Sequence, residues 1–357
     1  MSELINDAEL KDLAQRIENL VEKSKKQVLN HVNMVMVNTY FEIGRAIVEN
    51  EQQGDARAAY GQSVLKALSK KLNAKFGKGF SVDNLENMRR FYLTYGEPIS
   101  ETSSRILESE KSETVSRISG EPIVRSDRAF LLSWSHYIFL MKIGNAEERN
   151  FYEREAIQEG WSLRELKRQF DSALFERLAL SKDKQAVTEM SRQGIIIENP
   201  EDIVKDPYIL EFLGLPEDSQ YSESALEQKI IDKLQAFLLE LGKGYTFVGR
   251  QVRLTFDEKH FYVDLVFFNR LLQCFVLIDL KIGEITHQDL GQMQMYVHYY
   301  DRKVKLPSEN PTVGIVLCKK KDDTLVELTL PEDNTQIFAS RYQTVLPNKE
   351  ELAKLLK

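Results

Sequence analysis

The alternation of apolar and polar positions changes character along the chain. Leu10, Leu13, Ile17, Leu20 and Val21 recur at helical spacing, and apolar-periodic segments follow over 28–50 and 61–76. The last of these ends at Phe76, before Gly77-Lys78-Gly79. Ser81 then offers an N-cap for a helix over 81–95 that carries Leu85, Met88 and Tyr92 on one face. Two helices joined by a short glycine turn suit a helix-turn-helix reader and, equally, an ordinary helical hairpin. The helical period resumes at Ala129 and runs to about Leu180, with a capping box at Ser162-Leu163-Arg164-Glu165 opening a helix through Arg177. A polar stretch over 181–193 follows. Beyond it the pattern predicts a helix (225–241), strands (245–256, 261–269, 274–282), a helix (286–300), strands (312–319, 336–343) and a short helix (348–356). The expected organisation is a helical N-terminal domain over 1–185, a connecting segment over 186–220, and a mixed α/β domain over 221–357.

Residues 96–127 stand apart. Gly96-Glu97-Pro98-Ile99 returns as Gly120-Glu121-Pro122-Ile123. Ser100-Glu101-Thr102-Ser103-Ser104-Arg105-Ile106 returns as Ser112-Glu113-Thr114-Val115-Ser116-Arg117-Ile118. A slipped duplication in a Ser/Glu-rich tract buries too little apolar surface to order itself, so the expectation is a flexible insertion without chemistry.

Composition narrows the class. At 357 residues the chain exceeds one ordinary core, and 42% hydrophobic with 29% charged residues is the balance of a globular protein. No apolar run is long enough for a bilayer, and the acidic, polar N-terminus lacks the pattern of a secretory signal. Cys274 and Cys318 make neither a disulfide framework nor a zinc site, which points to a reducing, cytoplasmic location. The five histidines lack His-x-x-x-His spacing, and there is no P-loop. A net charge of −7 argues against a nucleic-acid partner, but the total hides a local asymmetry. Segment 61–95 holds Lys66, Lys70, Lys71, Lys75, Lys78, Arg89 and Arg90 against only Asp83 and Glu86. A solvated helix face and a phosphate-contacting surface both fit that pattern.

The chemistry concentrates in the C-terminal third. In 274–282, Cys274, Val276, Ile278, Leu280 and Ile282 share one face, and Phe275, Leu277, Asp279 and Lys281 share the other. A strand apolar on both faces is central, so two charges at its end need a reason. Asp264, on the preceding strand, sits beside Tyr262, Val266 and Phe268. Buried carboxylates are normally paired or bound to metal, because leaving them bare costs several kcal/mol, on the order of 3–5. Two carboxylates gathered at one point suit a hard cation such as Mg²⁺, with Mn²⁺ as a substitute, and a neighbouring ammonium can share a phosphate's charge.

Asp264, fourteen residues, then Asp279-Leu280-Lys281 resembles the PD-(D/E)XK nuclease superfamily. Phe237-Leu238-Leu239-Glu240-Leu241-Gly242, Phe247-Val248-Gly249-Arg250-Gln251, Phe261-Tyr262-Val263-Asp264-Leu265 and Leu131-Leu132-Ser133-Trp134-Ser135-His136-Tyr137 resemble the bacterial YhcG-type nuclease proteins. The resemblance implies a restriction-endonuclease-like core, a central mixed sheet flanked by helices, acting on DNA. It implies that Asp264, Asp279 and the Leu280 carbonyl hold the metal, with Lys281 positioning water or stabilising charge. Asp279 stands where the superfamily often has Glu. Glu227 matches the superfamily's helix glutamate, with Glu223 one turn earlier as the alternative; Ser224-Ala225-Leu226-Glu227 also reads as a capping box. Gln292 and Tyr296 share a helix face and resemble a Gln-x-x-x-Tyr motif bordering metal and DNA, although inward packing explains the same letters. Trp134 and His136 read as packing residues. The competing functions are a non-catalytic DNA-binding adaptor on a nuclease scaffold and an RNA-directed nuclease. A homodimer would suit two cuts on a duplex.

Overall fold

The computed structural model describes residues 7–52, 58–96, 129–180, 182, 184–215, 221–256 and 258–355. The duplicated tract over 97–127 lies outside the described residues. The chain divides into two compact units between Arg149 and Asn150.

The first unit is helical. A 46-residue helix, α1 (Asp7–Gln52), is followed by α2 (Ala58–Phe76), α3 (Val82–Tyr95) and α4 (Trp134–Leu140). Ser81 caps α3 as expected, its hydroxyl accepting the Asn84 amide at 3.2 Å. The C-terminal half of α1 packs on α3, where a Cβ on Gly44 would lie 2.0 Å from the Met88 carbonyl oxygen. Only glycine permits that approach. Phe41, Phe91, Phe130 and Tyr137 form an aromatic core with ring centroids about 5 Å apart. Trp134 packs on Phe91, and its indole N–H donates to Asn84 at 2.8 Å.

The second unit holds α6 (Leu163–Asp171), α7 (Leu174–Ala179), α8 (Lys184–Gln193) and most of α5 (Ala146–Gln158), which runs across the division. These precede β1 (Tyr208–Ile209), α9 (Glu223–Asp232), α10 (Leu234–Leu241), β2 (Tyr245–Phe256), β3 (Lys259–Asn269) and β4 (Cys274–Glu284). Next come α11 (His287–Tyr299), β5 (Val313–Lys320), α12 (Asp323–Thr329), β6 (Ile337–Gln343) and α13 (Lys349–Leu355). The sheet order is β1-β6-β5-β4-β3-β2. The β2–β3–β4 ladder is antiparallel, and β4–β5–β6–β1 is parallel. This is the expected mixed sheet flanked by helices. On one face Leu226, Ile230, Phe237 and Leu241 pack against Leu265, Phe267, Val276, Ile278 and Leu280. On the other, Leu290, Met293 and Val297 of α11 meet Val266, Leu277, Val316 and Cys318. Each fully buried side chain of this kind contributes about 1.5–3 kcal/mol.

Two expected helices are broken. The one expected through Arg177 stops at Asp171, and Ala173 takes a left-handed φ of 53° before α7. Arg177 turns back to hold the break, donating from Nε to the Ser172 carbonyl at 2.9 Å. The helix expected over 225–241 starts at Glu223 and breaks at Lys233 (φ −120°, ψ 29°). Its apolar stripe continues in phase across the break, so periodicity is blind to it. Ile282, expected on the face of Leu280, is exposed; it lies past the end of the β3 pairing, where the β4–β5 register is irregular between Lys281 and Glu284.

Candidate active site

The β3–β4 ladder is paired from Asn269↔Cys274 to Leu265↔Ile278 and no further. Past that point the strands separate, and the Asp264 carboxylate takes the place of a backbone partner: its Oδ2 accepts the Leu280 amide at 2.7 Å. The other edge of β3 keeps its register here, but its partner strand departs from extended backbone at one residue. The β2–β3 register passes from Arg250↔Leu265 to Val252↔Val263, and Gln251 between them has a left-handed φ of 47°. That conformation costs a non-glycine residue about 1–2 kcal/mol. It aims the Gln251 amide at two carboxylates, donating to Glu227 Oε2 at 2.6 Å and to Asp264 Oδ1 at 2.9 Å.

Glu227 is therefore not a capping residue. The N-cap of α9 is Ser222, whose hydroxyl accepts the Ala225 amide at 3.1 Å, and this overturns the Ser224–Glu227 capping box. Glu227 is buried against the site. Burial, and next the Asp264 charge, raise its pKa against the lowering effect of the Gln251 bond.

Asp279 is 3% exposed. Its Oδ2 lies 3.0 Å from Lys281 Nζ, an ion pair by distance, yet this buried oxygen has no hydrogen bond of acceptable angle. Burial first, and the Asp264 charge second, push its pKa up to about 7 despite Lys281. Lys281 has Glu223 at 3.8 Å and Asp289 at 3.7 Å besides. Burial alone would lower the ammonium's pKa, but Asp279 and then these two acids outweigh it and hold it above the usual lysine range. The acidic neighbours thus favour the charged form of Lys281.

The two carboxylates fit a hard cation. A carboxyl whose pKa is raised by burial and then by a second carboxylate, with one buried oxygen paired only by distance to Lys281, leaves room in its charge balance for a cation. Among the described residues no three His, Cys, Asp or Glu side chains are gathered as a ready-made cage. What the site itself offers a cation is the oxygens of Asp264 and Asp279, hard donors of the kind a divalent ion such as Mg²⁺ accepts.

Gln292 and Tyr296 lie on α11, and their side chains hydrogen-bond to each other. The Tyr296 hydroxyl also donates to the Tyr262 carbonyl at 2.9 Å. Burial, and then the Asp279 and Asp264 charges, raise its pKa against the lowering Gln292 bond, so it feels the carboxylate pair. In the first unit Lys70, Lys71, Lys75, Lys78 and Arg90 are exposed, and Arg89 pairs with Glu86 at 3.5 Å.

Sequence reasoning missed Gln251 and Asp289. Asp289 is the partner of Thr286 in the capping box of α11, accepting its amide at 2.9 Å, so the start of that helix is tied to Lys281. Thr286-x-x-Asp289 was readable as a cap. Nothing in the letters linked it to the site.

Residues 201–357 match the family described as the YhcG PDDEXK nuclease domain, and residues 16–177 match the DUF1016 N-terminal domain. The chain is 40% identical to "Putative nuclease YhcG" of Escherichia coli (strain K12), over 94% of this chain and 90% of that one. A repair endonuclease from Pyrococcus abyssi is 15% identical, with a TM-score of 0.24 over 37% of this chain and 50% of that chain. EndoMS in apo form is 13% identical, with a TM-score of 0.24 over 37% of this chain and 49% of that chain. With Asp264, Asp279 and Lys281 gathered at the open end of two central strands, and with a relative matching nearly end to end, the chain belongs to the YhcG family, a DUF1016 N-terminal domain joined to a PDDEXK nuclease domain.

Proposed function

We propose that the protein hydrolyses phosphodiester bonds of DNA in a Mg²⁺-dependent reaction, with Mn²⁺ as a substitute. The observation that carries this reading is the Asp279 carboxyl, buried beside Asp264 with its pKa pushed up to about 7 and one oxygen without a hydrogen bond. Asp264, Asp279 and the Leu280 carbonyl would hold the cation, with Glu227 joining them directly or through water. A bound Mg²⁺ supplies charge stabilisation at the phosphate and lowers the pKa of attached water.

The chain's own groups do the rest. Gln251 keeps the Glu227 and Asp264 carboxylates oriented. Lys281, held protonated by its three acidic neighbours, places a positive charge where the phosphate's negative charge grows. Gln292 and Tyr296 border the same site, positioned for the nucleic acid. The exposed cations Lys70, Lys71, Lys75, Lys78 and Arg90, together with Arg89, position DNA from the helical domain. Cys274 and Cys318 are free thiols, and Cys274 is buried in the core, in keeping with a reducing, cytoplasmic setting. Among the described residues no helix is long and apolar enough to cross a membrane.

The test is cleavage of supercoiled, linear, single-stranded and branched DNA with Mg²⁺ or Mn²⁺, beside Asp279→Ala. Metal-dependent cutting lost in the variant is expected. DNA binding without cutting of any substrate by the wild type would sink the reading in favour of a scaffold role.

A further inference from the structure

Helix α1 is packed over only half its length. Every side chain described between Lys11 and Val32 is exposed, whereas Val37, Phe41, Ile47 and Val48 are buried. The exposed half is not polar. Leu13, Ile17, Leu20, Val21, Val28, Val32 and Val35 are each at least 45% exposed. Apart from the adjacent Leu20 and Val21, three- and four-residue steps through Ser24 at the middle put them in one stripe. An apolar stripe along about 35 Å of helix, at about 1.5 Å per residue, is unusual on an isolated surface and marks an interface.

The charges on the same helix say what covers it. Residues 7–22 carry Asp7, Glu9, Asp12, Glu18 and Glu22 against Lys11 and Arg16, a net −3. Residues 23–38 carry Lys23, Lys25 and Lys26 with no acid, a net +3. The helix is thus complementary to itself reversed. A two-fold axis passing between Glu22 and Lys23 sets the acidic half on the basic half of a second copy. It also pairs larger apolar side chains with smaller ones: Leu13 meets Val32 of the second copy, Ile17 meets Val28, and Val21 meets Ser24, while Leu20 lies opposite Lys25, whose aliphatic stem can cover it. A parallel pairing would stack the three lysines on their own counterparts.

We propose that two copies of this chain associate through the exposed half of α1, in antiparallel register centred between Glu22 and Lys23. The interface is isologous, as a two-fold axis requires. It stands independently of the nuclease reading.

The test uses the full chain. Size-exclusion chromatography with light scattering at tens of micromolar should give a dimer. Ile17→Asp with Val28→Asp should give a monomer, the dissociation constant rising on the order of 100-fold or more. Both positions are exposed, and circular dichroism with thermal melting reports whether the variant is otherwise intact. Orientation is read by cross-linking, because the native Cys274 and Cys318 are buried. An oxidised mixture of Ile17→Cys and Val28→Cys chains should give mixed dimers in preference to like pairs. A monomeric wild type, a dimer indifferent to the aspartates, or a preference for like pairs would each overturn the proposal.

Discussion

Asp279 sits where its own ionisation is costly, which sets a pH dependence with a definite sign. Its pKa is about 7 in the fold against 3.8 for an ordinary aspartate, so between those values the folded chain holds a proton that the unfolded chain has lost. In metal-free protein this group's contribution therefore falls as pH rises through that window. Asp279→Asn should abolish cleavage yet raise the metal-free melting temperature at pH 8, by roughly 2–4 °C per kcal/mol recovered, and should do little at pH 4. Calorimetry at the two pH values checks this, and a lower melting temperature at pH 8 would refute it. Metal binding needs the ionised carboxylate, so the thermal shift produced by Mg²⁺ should be larger at pH 8 than at pH 6. Gln251 supports a second prediction. Gln251→Gly keeps the left-handed backbone but removes both amide bonds, and should cost roughly 10–100-fold in metal affinity or cleavage. Unchanged affinity, measured by calorimetric titration of Mn²⁺, would show that the bridge is incidental. Asp264, Asp279 and Lys281 were legible in sequence because charges interrupting apolar strands are costly and so conspicuous. Gln251 was not, because a polar side chain exposed on an edge strand costs nothing until the backbone turns it onto two carboxylates.

The elements were legible where burial sets the period, and illegible where the backbone breaks within a helical stretch. All five longer strands and the helix between β4 and β5 lie within a few residues of the expected positions. Apolar alternation is imposed by the sheet's two faces. The breaks at Ala173 and Lys233 leave that alternation in phase, so no period records them. Close approaches between elements are similarly hidden, and glycine marks two of them. At Gly44 an added Cβ would meet the Met88 backbone, part of a helix that cannot step aside. At Gly314 on β5 the nearest atoms are the Met293 Cγ and Sδ at 2.6 Å, the far part of an adaptable side chain. Gly44→Ala should therefore destabilise the helical unit by about 1–3 kcal/mol or more, and Gly314→Ala should cost its own unit less. Hydrogen-exchange protection in each unit separates the two effects. The reverse ranking would mean that α1 can slide on α3.

At the scale of the molecule, the family boundaries and the compact units do not coincide, and one buried cluster explains why. The DUF1016 match ends at residue 177 and the nuclease match begins at 201, whereas the second compact unit begins at Asn150. Within that unit Glu240 on α10 is fully buried. It accepts from Arg168 Nη1 at 2.6 Å and Arg177 Nη1 at 3.0 Å, and from the Ile209 amide at 2.9 Å. Lys205, also buried, bonds to the Glu240 carbonyl. Burial would raise the Glu240 pKa, but the Arg177, Lys205 and Arg168 charges outweigh it and bring it down to about 2. This contribution is present above the ordinary carboxylate value and is lost as pH falls towards 2. Both arginines come from the stretch matched by the N-terminal family, and their partner comes from the nuclease domain. A fragment cut at the family boundary, 201–357, keeps Glu240 and Lys205 but loses both arginines. Stripping the partners from a buried charge costs about 3–5 kcal/mol, a large share of the roughly 5–15 kcal/mol that holds a domain together. A fragment over 150–357 keeps the cluster whole. The longer fragment should melt in one cooperative transition, while the shorter one should be several kcal/mol weaker in urea or fail to fold. Equal stability of the two would mean that the arginines act only as solvated neighbours, and that Glu240 is held by Lys205 and the Ile209 amide alone.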